Sequence, residues 1–343
     1  MTETAPDRVP VRPVSVVTGF LGSGKTTLIA RVLRDPGFAR TAVIVNEFGE
    51  VGIDHALIAA GTETLLTLTT GCLCCRMEGS LAATLRGLAA QAGPVGFDRV
   101  LVETSGLADP APILGGLLAD ADLADGYVLD KVVTLVDAVA GEAALARHPE
   151  ARRQVAVADR IVLTKTDLAA PSSALRALLA ATAPTAERVI ESVRGAVDPA
   201  ILFGPADPAA RAARLAVLTP APAANPFAAR GVHSERLGAI VLERDAPIAG
   251  AALSLFVETL VAHCGPRLLR LKGLVELAED PSCPLLLQGV QHSLAAPEFL
   301  PSRPPGWPGG LRLVLIGQDL PRYFPARLLA AIEEEVADTP PVA

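Results

Sequence analysis

The chain has 343 residues, with 30 Lys plus Arg against 37 Asp plus Glu and a formal net charge of −7. That balance argues against a chain built to bind nucleic acid or an anionic membrane, and 3% aromatics leave few platforms for stacking bases. Half of the residues are hydrophobic and 20% are charged, which suits a sizeable aliphatic core and excludes disorder as a general reading.

In chain order, the first residues, MTETAPDRVPVRP, carry acids and prolines and no apolar core segment, so they do not read as a signal peptide. VSVVT at 14–18 predicts a strand, followed by a glycine-rich turn and an apolar helical pattern from Lys25 to about Leu33. Further strands are expected at 41–45, 64–68, 99–103, 132–136 and 160–164, with helices at 79–91, 110–120, 141–147 and 172–181. Several of these strands are continuously apolar, as parallel strands covered on both faces are. The alternation predicts an α/β fold with a doubly wound, mainly parallel sheet.

An Ala/Pro-rich stretch reads as a linker at 205–230, between a nucleotide-binding domain at 12–204 and a small C-terminal α/β domain at 231–337. The second domain is expected to hold strands at 238–242, 267–272, 285–290 and 311–316 and helices at 247–262 and 325–336, with the helices on one side of an open sheet. Apolar stretches such as 215–229 are broken by Pro220, Pro222 and Pro226, so no transmembrane helix is expected.

GFLGSGKT, Gly19 to Thr26, fits the pattern of a phosphate-binding loop between a strand and a helix. Backbone N–H groups from Gly22, Ser23, Gly24, Lys25 and Thr26 would face phosphate oxygens, and the helix N-terminus adds its positive dipole end. Lys25 would reach the β- and γ-phosphates, and the Thr26 hydroxyl would ligate Mg²⁺. Glu103, at the end of the 99–103 strand, stands where a Walker B acid would hold the same ion, although Asp is more usual there.

Thr164-Lys165-Thr166-Asp167 resembles the N/T-K-x-D element that selects guanine. Asp167 would accept from guanine N1–H and the 2-amino group, donors that adenine lacks, while the Lys165 stem lies against the base. Thr164 stands where Asn is usual.

The chain has five cysteines. Three of them, Cys72, Cys74 and Cys75, follow Gly71 within four positions, which points to a cytosolic metal or redox site rather than a disulfide framework, with metal binding favoured by so dense a cluster. Thiolates suit Zn²⁺ or Cu(I), and Co²⁺ is geometrically allowed. Three ligands leave a fourth position open, which suits transfer. Cys264 and Cys283 stand alone and read as core residues.

GFLGSGKTTL, VNEFGEVGID, GCLCC, ETSGLADP and ADRIVLTKTDL occur in the order seen in CobW-like P-loop GTPases, and Arg270–Gly273 with Gln288–His292 resembles their C-terminal domain. The resemblance covers about residues 12–330. It implies a cytoplasmic, GTP-hydrolysing metallochaperone that delivers Zn²⁺ or Co²⁺ to a client metalloprotein. It extends phosphate contact to Thr27, assigns Mg²⁺ to Thr26 and Glu103, and makes Cys72, Cys74 and Cys75 the cargo ligands. It also makes 46–49 a switch segment, and Glu47 within it and Glu50 and Asp54 just after it are candidates to orient attacking water. Related nucleotide-switch proteins dimerise, so a homodimer is a second partner to test. The histidine-rich linker of many members is lacking; only His233 lies near its end. Two other readings share these motifs: a nucleotide-gated zinc sensor that modulates a partner, and a P-loop kinase acting on a small molecule. Arg270, Lys272 and His292 read as ordinary surface groups.

Overall fold

The computed structural model describes residues 11–45, 65–67, 78–91, 97–124, 126–203 and 237–338. The first sheet contains β1 (Arg12–Gly19), β2 (Thr41–Val45), β3 (Leu65–Thr67), β4 (Arg99–Glu103), β5 (Tyr127–Asp137), β6 (Arg160–Thr164) and β7 (Arg188–Glu191). It is seven-stranded and parallel throughout, in the order β3-β2-β4-β1-β5-β6-β7. β1 therefore lies at its centre, with the glycine loop leaving its C-terminal end.

Alternation along these strands builds two cores. Val14, Val16, Ala42, Ile44, Val100, Val102 and Val132 face one side, against Leu81, Leu85 and Leu88 of α2 (Glu78–Gln91) and Ile113, Leu114 and Leu117 of α3 (Ala111–Ala119). Val17, Val43, Val45, Leu101, Val133 and Leu135 face the other, against Leu28, Ile29 and Val32 of α1 (Lys25–Val32). The continuous apolar runs are thus strands covered twice, as expected.

Four elements here were not expected from the sequence: β7, the short helix α4 (Ala121–Ala124), α6 (Pro149–Ala156), which follows α5 (Gly141–Arg147), and α8 (Pro199–Phe203), which follows α7 (Ser173–Thr182). The signal for α6 was present. Pro149 occupies its first position, where a missing N–H costs nothing, and Glu150 lies in its first turn.

The C-terminal unit contains β8 (Leu237–Arg244), α9 (Gly250–Cys264), β9 (Leu268–Val275), β10 (Leu285–Val290), β11 (Ser293–Leu294), β12 (Glu298–Phe299), β13 (Leu311–Gln318) and α10 (Phe324–Asp338). Its antiparallel sheet runs β11-β10-β9-β13-β8, with β12 on β10. Both long helices cover one face, where Phe256, Val257 and Leu260 of α9 and Leu329 and Ile332 of α10 meet Leu271, Leu313 and Leu315. The opposite face packs on the parallel-sheet unit: Leu269, Val290, Val314 and Ile316 join the same core as Leu114, Ala156 and Val157. This is why every residue of β9 is buried.

The pairing of β9 with β13 shifts between Ile316 and Gly317, which face Arg270 and Leu268, so Leu269 is the extra residue. Such a bulge re-aims the side chains beside it. Arg270 and Lys272 are 1% and 5% exposed. This corrects the reading of both as surface groups; His292 does lie on the surface. Cys264 belongs to the core as expected, whereas Cys283 is only half-buried. The proposed linker at 205–230 lies outside the described residues.

Candidate functional site

The site begins where β1 ends. Gly19, Gly22 and Gly24 have φ of 144°, 70° and 93°, values that favour glycine. A Cβ on Gly19 would lie 2.5 Å from the Leu135 carbonyl oxygen of β5. The loop then enters α1 through Gly24, with no side chain capping the helix. Its first-turn N–H groups are therefore oriented for an anion. Lys25 is buried, and its Nζ donates to the carbonyls of Gly19 at 2.9 Å and Phe20 at 3.4 Å. The ammonium is held within the loop.

β4 ends beside the same turn. Thr26 Oγ1 donates to Glu103 Oε1 at 2.9 Å, and Glu103 is 3% exposed. The strand-end acid is therefore not a solvated cap. A hydroxyl in contact with a carboxylate forms a pair of hard oxygen donors, and that donor set fits Mg²⁺. Thr104 Oγ1 donates to Thr18 Oγ1 at 2.8 Å, and Thr104 N–H donates to the Val17 carbonyl at 3.0 Å, locking the two strand ends together. Beyond them, a Cβ on Gly106 would meet Leu21 Cα and N at 2.9 Å. The loop after Glu103 thus rests directly on the phosphate loop.

β6 supplies the third side. Thr164 Oγ1 donates to the Ser23 carbonyl at 2.8 Å, so this threonine ties β6 to the phosphate loop. Lys165 has φ of 58°, which turns the chain sharply at the strand end. Its Nζ contacts Asp137 Oδ2 at 2.6 Å. Burial raises the Asp137 carboxyl, but Lys165 and the N–H groups of Val139 and Ala140 outweigh it, holding the group below its ordinary range. Asp167 faces Arg194 at 3.8 Å.

Two contributors were missed in the sequence. Asp137, at the end of β5, orients Lys165; a lone acid after an apolar run was its only signal. The segment after β7 is the other. Thr166 Oγ1 donates to the Ser192 carbonyl at 3.3 Å, and Arg31 Nη1 of α1 donates to the Arg194 carbonyl at 3.0 Å. With β7 unseen, nothing marked this segment as neighbouring the base element.

The fold thus gathers Gly22, Ser23, Gly24, Lys25, Thr26, Thr27, Glu103, Thr164, Lys165 and Asp167 at the C-terminal edge of one parallel sheet, where ligands of open α/β folds bind. Cys72, Cys74, Cys75, Glu47, Glu50 and Asp54 lie outside the described residues. Among the described residues, no group of three His, Cys, Asp or Glu side chains is placed to hold a metal ion, and no helix is long and apolar enough to cross a membrane.

Comparison with known proteins agrees with this geometry. Residues 13–189 match the CobW/HypB/UreG nucleotide-binding domain, and residues 237–334 match the cobalamin synthesis protein CobW C-terminal domain. The chain is 36% identical over 288 residues to the zinc chaperone YjiA of Escherichia coli, covering 82% of this chain and 87% of that protein. It is 36% identical over 225 residues to the zinc chaperone CobW of Pseudomonas aeruginosa, covering 56% of this chain and 59% of that one. The crystal structure of a Zn(II)-bound triple mutant of the YjiA GTPase superposes with a TM-score of 0.69 at 28% identity, over 95% of this chain and 100% of that one. The chain therefore belongs to the CobW/HypB/UreG family of nucleotide-binding proteins and carries the CobW C-terminal domain.

Proposed function

We propose that the chain is a GTP-hydrolysing metallochaperone that holds Zn²⁺ on Cys72, Cys74 and Cys75 and passes it to a client protein under nucleotide control. The observation that carries this reading is the convergence of the phosphate loop, the Thr26–Glu103 pair and the 164–167 element at one sheet edge, in a chain 36% identical to a zinc chaperone. Gly22 through Thr27 bind the triphosphate, and Lys25 neutralises its β- and γ-oxygens. Asp167 reads the guanine edge, and Thr164 keeps that reader in register with the phosphate loop. Thr26 and Glu103 would hold Mg²⁺, which supplies charge neutralisation across the β- and γ-phosphates. Glu47 orients the attacking water. The N-terminal domain spans 12–204, and the C-terminal domain, 231–337, offers the client a surface. Co²⁺ is an alternative cargo for the same thiols. The protein works in the cytoplasm, where thiols stay reduced.

The test is a titration of Zn²⁺ and Co²⁺ into reduced protein with Mg²⁺ and either GDP or a non-hydrolysable GTP analogue. One tight site is expected. It should strengthen by about 5- to 150-fold with the triphosphate and vanish when all three cysteines are changed to alanine. Metal affinity that ignores the nucleotide would overturn nucleotide control. Metal transfer to an apo-client separates a chaperone from a sensor that merely binds.

A further inference from the structure

Between the two sheets runs α6, and it touches the nucleotide loop on one side and the C-terminal domain on the other. Gln154 is fully buried. Its Nε2 donates to the carbonyls of Gly106 at 3.1 Å and Ala108 at 3.0 Å. Its own carbonyl accepts from Thr134 Oγ1 of β5 at 2.8 Å. Gln154 and the buried Ser23 of the phosphate loop line one cavity of about 40 Å³, and neither Gln154 Oε1 nor Ser23 Oγ has a hydrogen-bond partner among the described residues. One side chain therefore grips the loop after Glu103 and faces the loop that binds phosphate.

The neighbouring residues carry the connection outward. Arg153 Nη1 reaches Asp109 Oδ2 at 3.4 Å, and its Nη2 reaches Gln318 Oε1 of β13 at 3.3 Å. Just past the helix, Asp159 accepts from the Val132 N–H at 2.8 Å and from Arg270 Nη2 at 3.1 Å, and it is in contact with Lys272 Nζ. All three side chains are buried. One carboxylate shared by two cations leaves Lys272 and Arg270 dependent on it. The 104–109 loop is thus held at one end by the phosphate loop and at the other by a helix pinned to β9 and β13.

We propose that α6 is a rigid link through which docking of the C-terminal domain and the position of the 104–109 loop set each other, with Gln154 as the positioning residue. The proposal rests on the reading of this site as a GTP site. A client that shifts the C-terminal sheet then alters nucleotide preference without touching nucleotide, and nucleotide alters how the sheet is presented.

The test uses the full chain, as wild type, Asp159→Asn, Gln154→Leu and the double variant. Two readouts are taken: amide hydrogen exchange across 104–109, and the ratio of affinities for a non-hydrolysable GTP analogue and GDP. Asp159→Asn is expected to speed exchange at 104–109 by about tenfold, with β2 unchanged. It should also shift the affinity ratio by about five- to tenfold, and Gln154→Leu should add nothing further in the double variant. Exchange that rises in β9 but not at 104–109, or effects that simply add, would overturn the link. If Asp159→Asn does not fold, Arg153→Ala breaks the same connection at a half-buried position and is read in the same way. If wild type binds neither nucleotide, the GTP reading falls, and the exchange measurement still decides the link.

Discussion

The phosphate end of the parallel sheet and the buried contact between the two sheets use the same ion chemistry in opposite ways. Lys165 and Asp137 pair at 2.6 Å on a partly exposed edge, where water shares the work of solvating both. Asp159, Arg270 and Lys272 meet where almost no water reaches. There, burial alone would raise the Asp159 carboxyl. Arg270 and Lys272 outweigh it and hold the group far below the usual carboxylate range. Lys272 shifts down too, first through burial and then through Arg270 beside it, against the pull of Asp159. The partly exposed pair fixes the direction of one lysine at the sheet edge. The buried trio makes each charge depend on the others.

The largest test of that contrast removes the shared carboxylate. Asp159→Asn leaves two cations facing each other in the interior and should cost about 3–5 kcal/mol in chemical denaturation. The same group sets a pH dependence. A depressed folded pKa contributes stability that is present above the unfolded value and is lost as pH falls. Unfolding free energy of the wild type should therefore drop below about pH 4. A shallower acid slope in Asp159→Asn would assign that loss to this carboxylate; an unchanged slope would place it elsewhere.

Next in size is the phosphate loop itself. Gly19→Ala sets a Cβ 2.5 Å from a carbonyl oxygen at φ of 144°. It should cost at least about 1–3 kcal/mol and abolish nucleotide binding by calorimetry. Thr164→Val removes the donor to the Ser23 carbonyl, with an expected loss of about 1–3 kcal/mol. Its guanine-nucleotide affinity should fall while Thr164→Ser stays near wild type. The smallest effect is expected at the exposed pair. Asp137→Asn should change stability by only about 0–1 kcal/mol, less at high salt, because Lys165 is 39% exposed. A loss comparable to that of Asp159→Asn would erase the distinction between the two regions.

The two regions also differ in how far they could be read before the fold was known. Lys25 and the carbonyls of Gly19 and Phe20 are within six residues of one another, so the loop declares itself in one octapeptide. Strand and helix periods then put Glu103 and the 164–167 element at strand ends, and the fold sets those ends on either side of β1 and β5. Asp137 and the Ser192–Gly195 segment escaped because their roles depend on which strands become neighbours. β7 was short and mostly exposed, without the apolar run that marked the others.

Periodicity, glycine placement and motif order were sufficient for the doubly wound sheet, the C-terminal unit with its helices on one side and the phosphate loop, because each is encoded within a turn or a strand of chain; the antiparallel pairing of the C-terminal strands came only with the fold. Tertiary structure alone decided the fate of Arg270 and Lys272. Asp159 lies 111 and 113 residues away from them, and a bulge at Leu269 re-aims β9 where it meets β13. It alone turned Gln154, one polar residue on an unnoticed helix, into the contact that holds Gly106. A charge or an amide is written in the sequence, but its burial and its partner exist only once distant segments have packed.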